Sequence, residues 1–184
     1  MSLIPTCPHC AVSHPSRRSV LTALAAAAIA PVAAPVAAAM SAAEDERFMR
    51  IAIAEARRAD FPFGAVIVRD GKVLARGRNL GRTTDDPTAH GEMVAIRRRL
   101  ARHGSRFLKG TALYTSCEPC AMCMGAILWC HFGRLVFAAS VQQLASKIDQ
   151  IMVSSAELAA KASYAPISIT GGVLADEAMQ LFPK

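Results

Sequence analysis

Aromatic side chains are scarce: they make up 5% of the 184 residues, with one tryptophan and two tyrosines. In the most basic stretch, which carries Arg97, Arg98, Arg99, Arg102, Arg106 and Lys109, only Phe107 is interleaved. A groove for single-stranded nucleic acid pairs positive charge with stacking platforms, and the second ingredient is missing here. The run could still track a phosphate backbone, but a basic run of this kind more often forms the solvated face of a helix. Nucleic acid is therefore not the expected partner, although acids are also few, 14 against 21 bases for a net charge of +7. No internal repeat or low-complexity tract is visible beyond the first 39 residues. A chain of this length then allows one ordinary domain and a short appendage.

The appendage is at the front. Ser16-Arg17-Arg18-Ser19-Val20-Leu21 precedes an uncharged, alanine-rich run over 20–39 that ends in Ala37-Ala38-Ala39. This is similar to a cleavable twin-arginine export signal, with Val20 and Thr22 where phenylalanine and lysine are common. Residues 1–39 are assigned as the signal peptide and 44–184 as the domain. Cleavage would remove Arg17 and Arg18 and no acid, lowering the net charge of +7 by two. The expected location is periplasmic or secreted, with no membrane attachment after cleavage; a mis-assigned start would make the protein cytoplasmic. An uncleaved anchor competes, since about 20 apolar residues can span a bilayer, but Pro31, Pro35 and the alanine content oppose it. Cys7-Pro8-His9-Cys10 has thioredoxin-type spacing without the βαβ setting that motif needs, and it is assigned no function.

Four cysteines remain beyond the leader. Cys117, Cys120 and Cys123 form a C-x-x-C-x-x-C run, but position 127, where a ferredoxin-type run places its next cysteine, is Ile127. An iron–sulfur site is excluded on that spacing. What stands there instead is a split motif: His90-Gly91-Glu92, then Pro119-Cys120-Ala121-Met122-Cys123. A catalytic zinc takes three protein ligands and keeps one position for water, whose pKa it lowers to about 7. His90, Cys120 and Cys123 supply the three, and Glu92 is the proton carrier. H-x-E followed by P-C-x-x-C is the pattern of zinc-dependent nucleobase and nucleoside deaminases, where the glutamate is general acid and base. A structural zinc closed by Cys117 is the alternative; it would leave Glu92 and Pro119 without a reason. Cys117 and Cys130 lie too far apart along a helix to be bridged, so both are expected as thiols.

Periodicity sets out the elements. Phe48, Ile51, Ala52, Ala56 and Ala59 recur at helical spacing over 44–59. An apolar strand over 63–69, the turn pair Asp70-Gly71 and a returning strand over 72–80 make a hairpin. Thr88 caps a helix whose stripe is Ala89, Met93, Ile96 and Leu100, with His90 in its first turn. A strand over 111–116 is stopped by Pro119, which starts an apolar helix carrying Cys120 and Cys123 in its first turn; that helix should be buried. A strand over 133–139, one or two helices within 141–162, a strand over 166–170 and a helix over 174–182 follow. Strands joined by helical crossovers imply parallel pairing with helices on both faces.

Three segments carry a resemblance: Phe61-Pro62-Phe63-Gly64-Ala65-Val66-Ile67-Val68, Asp86-Pro87-Thr88-Ala89-His90-Gly91-Glu92, and Tyr114 to Ile127 around Cys117-Glu118-Pro119-Cys120. The chain resembles the cytidine deaminase superfold and, within it, the branch of guanine deaminases and tRNA adenosine deaminases, closely over 44–139 and loosely beyond. Gly91 replaces an alanine usual in that branch. The resemblance implies an α/β fold of three α/β/α layers around a five-stranded mixed sheet with an initial hairpin. It implies a hydrolytic deaminase of a free nucleobase or nucleoside, guanine first, acting as a homodimer, with His90, Cys120 and Cys123 on Zn2+ and Glu92 moving protons. It also implies that Asn79 hydrogen-bonds the substrate and Phe63 flanks its ring, against the plainer readings of turn asparagine and core phenylalanine. Trp129 is expected in the core or at a subunit interface. Guanine deaminases grip the far edge of guanine with a carboxylate, for which Asp149, Asp176 and Glu177 are the candidates. A tRNA or nucleoside adenosine deaminase, and a non-catalytic zinc-binding module, are the alternatives.

Overall fold

The computed structural model describes residues 40–182; the segment expected to be a leader, with its arginine pair and with Cys7 and Cys10, lies outside the described residues. The first helix, α1 (Ala42–Ala56), begins in a capping box, in which Ser41 and Glu44 each satisfy the other's backbone N–H. β1 (Gly64–Arg69) and β2 (Lys72–Arg78) pair antiparallel through Asp70 and Gly71, both at positive φ, the geometry a two-residue hairpin turn requires. Then come α2 (Gly91–His103), β3 (Ala112–Cys117), α3 (Ala121–Trp129) and β4 (Arg134–Ala139). Two short helices, α4 (Val141–Leu144) and α5 (Ser155–Ala160), precede β5 (Ser168–Thr170) and α6 (Ala175–Met179). Among the described residues no helix is long and apolar enough to cross a membrane.

The sheet runs β2-β1-β3-β4-β5. β1 is antiparallel to both neighbours, while β3–β4 and β4–β5 are parallel. It is the mixed five-stranded α/β sheet that the pattern implies. Alternation along the central strands splits the core in two. Val66, Val68, Tyr114 and Val136 face Phe48, Met49 and Ile53 of α1 and Ala178 of α6. Ala65, Ile67, Leu113 and Leu135 face Ala95 and Ile96 of α2 and Met124 and Ile127 of α3. Helices therefore cover both faces, and β1 is buried along five of its six residues.

Two glycines permit the tightest contacts. A Cβ on Gly77 would lie 2.1 Å from the Gly91 carbonyl, and one on Gly64 2.3 Å from the Ala52 carbonyl. Glycine brings α2 against β2 and α1 against β1, which is how the start of α2 reaches the end of the sheet.

Several expectations shift. Thr88 caps nothing: its backbone N–H and hydroxyl both donate to Asp86 Oδ1, and His90 takes the N-cap position of α2. The buried face of α2 runs through Gly91, Glu92, Val94, Ala95 and Ile96, while Met93 and Leu100 are only half-buried, because the helix packs flush on β2 rather than by its most apolar stripe. α3 is buried on one side only. Trp129 is 73% exposed, so its core assignment fails.

Candidate metal centre and active site

His90 and Cys120 hold the N-cap positions of α2 and α3, and neither side chain makes a capping hydrogen bond. Both are extended-backbone residues that turn away from their helices and toward each other. The two helix N-termini meet there, and their partial positive charge favours thiolates. His90 Nδ1 lies 3.6 Å from Cys120 Sγ and 3.6 Å from Cys123 Sγ. Tetrahedral zinc with ordinary Zn–S and Zn–N lengths sets N and S about 3.6 Å apart. The three donor atoms lie within 4.8 Å of one another, and neither Glu92 nor Cys117 belongs to the group. One imidazole and two thiols at this spacing fit zinc, with a fourth position left over.

Protons follow the same arrangement. The Cys123 thiol donates to Cys120 and, with help from His90, pulls Cys120 down to about 4; Cys123 is pushed up correspondingly. A bound metal would take both as thiolates. The Cys120 contact raises the His90 pKa. Cys117, 1% exposed, is pushed up by burial to about 12, so it remains an inert thiol. The four cysteines among the described residues are all free, Cys130 among them.

Glu92 is 4% exposed, and burial raises its pKa. The Thr115 hydroxyl, on β3, donates to Glu92 Oε1 at 3.0 Å. Thr115 was legible only as part of a strand, since nothing local marks which strand side chain reaches across to a helix start.

These groups face a cavity of about 960 Å³. Phe63, Asn79, His90, Glu92 and Cys120 line it, so the structure brings every residue named from sequence to one place except Cys123, which lies beneath. Asn79 takes the turn position and also lines the cavity. Its Oδ1 accepts from the Gly81 N–H at 3.0 Å in a turn, which leaves its amide hydrogens for a ligand. Phe63 likewise packs its ring edge on Phe182, 5.6 Å away, and lies parallel to the His90 ring at 6.4 Å. Of the three carboxylates considered for the far edge, only Asp149 lines the cavity. Glu177 instead approaches Arg50 at 3.9 Å on α1. Glu118 and Arg82, not singled out in sequence, also line it.

A match to the family described as the cytidine and deoxycytidylate deaminase zinc-binding region spans residues 42–139. The guanine deaminase of Bacillus subtilis is 51% identical over 78 residues, covering 42% of this chain and 50% of that enzyme. The chain thus spans half the length of that relative. A solved structure from work on A-to-I editing by tRNA:A34 deaminases at the wobble position of transfer RNA superposes with a TM-score of 0.64 at 33% identity, covering 74% of this chain and 99% of that one. Another, a variant protein in complex with 8-azaguanine, gives a TM-score of 0.67 at 26% identity, covering 74% and 81%. With the matched region holding both ligand-bearing helix starts and the carboxylate between them, this chain belongs to the cytidine and deoxycytidylate deaminase zinc-binding family.

Proposed function

We propose that the protein hydrolyses the exocyclic amino group of a free nucleobase, guanine first, giving the oxo base and ammonia. The observation that carries this is a buried carboxylate, Glu92, beside a zinc-competent N/S/S donor set facing a cavity that also offers an amide and a ring face. His90, Cys120 and Cys123 would hold the zinc, whose chemistry there would be to make a water acidic enough to serve as nucleophile at neutral pH. Glu92 would take one proton from the attacking water and deliver it to the ring nitrogen next to the amino-bearing carbon, then take the second proton from the added hydroxyl and hand it to the amino group, which leaves as ammonia. The Thr115 hydroxyl occupies Oε1 and leaves Oε2 for the proton. In this reading Asn79 donates to a polar edge of the base, Phe63 flanks its ring, and Asp149 accepts from its far edge, which the lining of the cavity by all three supports.

The 8-azaguanine complex supports a small planar ligand, while the likeness to a tRNA-editing structure keeps adenosine in RNA as the second reading. Rates of ammonia release from guanine, adenine, cytosine, guanosine and an anticodon stem-loop separate them. Turnover of guanine with none of the RNA is expected; the reverse overturns the reading, and inactivity on all would favour a non-catalytic module.

The same reading includes a homodimer and an exported location. Support for the dimer comes from α3, which carries no charged side chain and presents exposed Trp129 with half-buried Met122, Gly125 and Ala126 on one face. An antiparallel copy would set Met122 against Trp129 and Gly125 against Ala126, the reciprocity a two-fold contact requires. Sedimentation should give a dimer that Trp129→Ala weakens; a monomer at all concentrations refutes it. Support for export comes from the arginine pair and apolar run of the leader. Arg17→Lys with Arg18→Lys should leave the protein inside the cell, and a wild type found wholly in the cytoplasm contradicts export.

A further inference from the structure

Glu118 sits between the end of β3 and Pro119-Cys120, is 8% exposed and touches the cavity. Both of its carboxylate oxygens are engaged elsewhere. Oε2 accepts from the Val141 N–H at 2.9 Å and Oε1 from the Ser155 N–H at 2.7 Å. Val141 is the first residue of α4 and Ser155 the first of α5. The connection between those helices, residues 145–154, contains Asp149, Gln150 and Ile151, which form one side of the cavity. One carboxylate therefore holds both ends of that wall, across 23 and 37 residues of sequence.

Inside the wall, the backbone N–H groups of Ala145, Lys147 and Ile148 donate back into α4, Ile148 packs against the core, and Ser154 is held in the capping box of α5, so the placement of the wall follows the placement of those two helix starts. Ser155 is fully buried, yet its hydroxyl has no partner among the described residues, so its backbone N–H is its polar tie. We infer that Glu118 is a positioning residue that fastens the 145–154 wall to the loop bearing Cys120, and so sets how tightly a base is held. This deepens the deaminase reading and rests on it for the substrate, though not for the structural link.

Glu118→Gln is the direct test, in the zinc-loaded full-length protein. A carboxamide can accept from only one of the two N–H groups and turns its own NH2 toward the other. Amide hydrogen exchange at Val141, Ser155 and 145–148 should quicken by about tenfold or more, with the amides of α1 and β1 unchanged and one zinc per chain. The guanine KM should rise about tenfold while kcat falls less than threefold, the mark of weakened ground-state holding rather than altered chemistry. Ser155→Pro removes the donor instead, at a first-turn position where proline's missing N–H and fixed φ are tolerated, and should quicken exchange over 145–148 as well. Unchanged wall exchange in both variants overturns the inference; a raised KM with unchanged exchange would mean Glu118 touches the base directly. Quickening spread equally over α1 and β1 would show general destabilisation and also overturn it. If the wild type turns over no base, the exchange result still stands or falls alone, and the failure belongs to the deaminase reading.

Discussion

Cys117, Cys120 and Cys123 share one spacing, yet only two of them reach His90, because Cys117 is still on β3 while Cys120 has crossed Pro119 onto the start of α3. Zinc content should therefore be one per chain in the wild type and in Cys117→Ser, and lost in Cys120→Ser. Metal analysis checks it, and the reverse pattern would mean the ligands are misassigned. Cys117 should also resist alkylation in the native protein, being 1% exposed with its thiol pushed to about 12. Glu92 is next to the donor set without joining it, so Glu92→Gln should keep zinc and fold while turnover drops by about 10²–10⁴, the range of general acid–base catalysis. A variant with near wild-type kcat would remove Glu92 from the mechanism. The ligands and Glu92 were legible because their chemistry is carried by residue type and order. Thr115 and Glu118 were not, and Asp149 could not be told from Asp176 and Glu177, since their parts depend on which backbone N–H or cavity wall the fold brings near them.

At the scale of elements, legibility follows the locality of the cause. Asp70-Gly71 announces its hairpin because both residues must take positive φ. The cap of α2 is His90 rather than the expected Thr88, because the Thr88 hydroxyl donates to Asp86 and accepts from Arg97 instead of closing the helix. The short elements after Val141 are weakly marked because α4 and α5 have four and six residues, too few for periodicity to speak. Gly77 shows a cause that only packing reveals: its missing side chain admits the Gly91 carbonyl and the Ala95 N–H of α2. Gly77→Ala would place a methyl 2.1 Å from backbone that cannot give way cheaply. It should destabilise by about 1–3 kcal/mol, the cost of overpacking, and also disturb the placement of His90. Denaturant titration together with zinc affinity measures both; an unchanged midpoint would mean α2 slides freely on β2.

At the scale of the described domain, several arginines of the basic stretch make local contacts. Arg97 pairs with Asp86 at 3.0 Å, Arg98 bonds the Arg76 carbonyl, and Arg99 and Arg106 lie over the Phe107 ring. A deeper contact is that of Arg134, on β4. It makes two 2.7 Å bonds to Asp45 of α1, and the Tyr114 hydroxyl of β3 donates to the same carboxylate at 2.7 Å. Arg134 also reaches Thr170 on β5 at 3.4 Å, so one buried cluster ties the first helix to three strands. Such a pair adds little over apolar packing but is costly to break on one side, because the surviving charge stays buried. Asp45→Ala leaves the Arg134 side chain, 12% exposed, without its partner. The expected loss is about 3–5 kcal/mol, which at about 2–4 °C per kcal/mol for a domain of this size lowers Tm by roughly 6–20 °C. The double variant Asp45→Leu with Arg134→Met removes both charges and should recover much of that loss. Thermal unfolding of the zinc-loaded proteins decides between them: if the double variant is less stable than Asp45→Ala, the ion pair is a net source of stability and the desolvation argument fails.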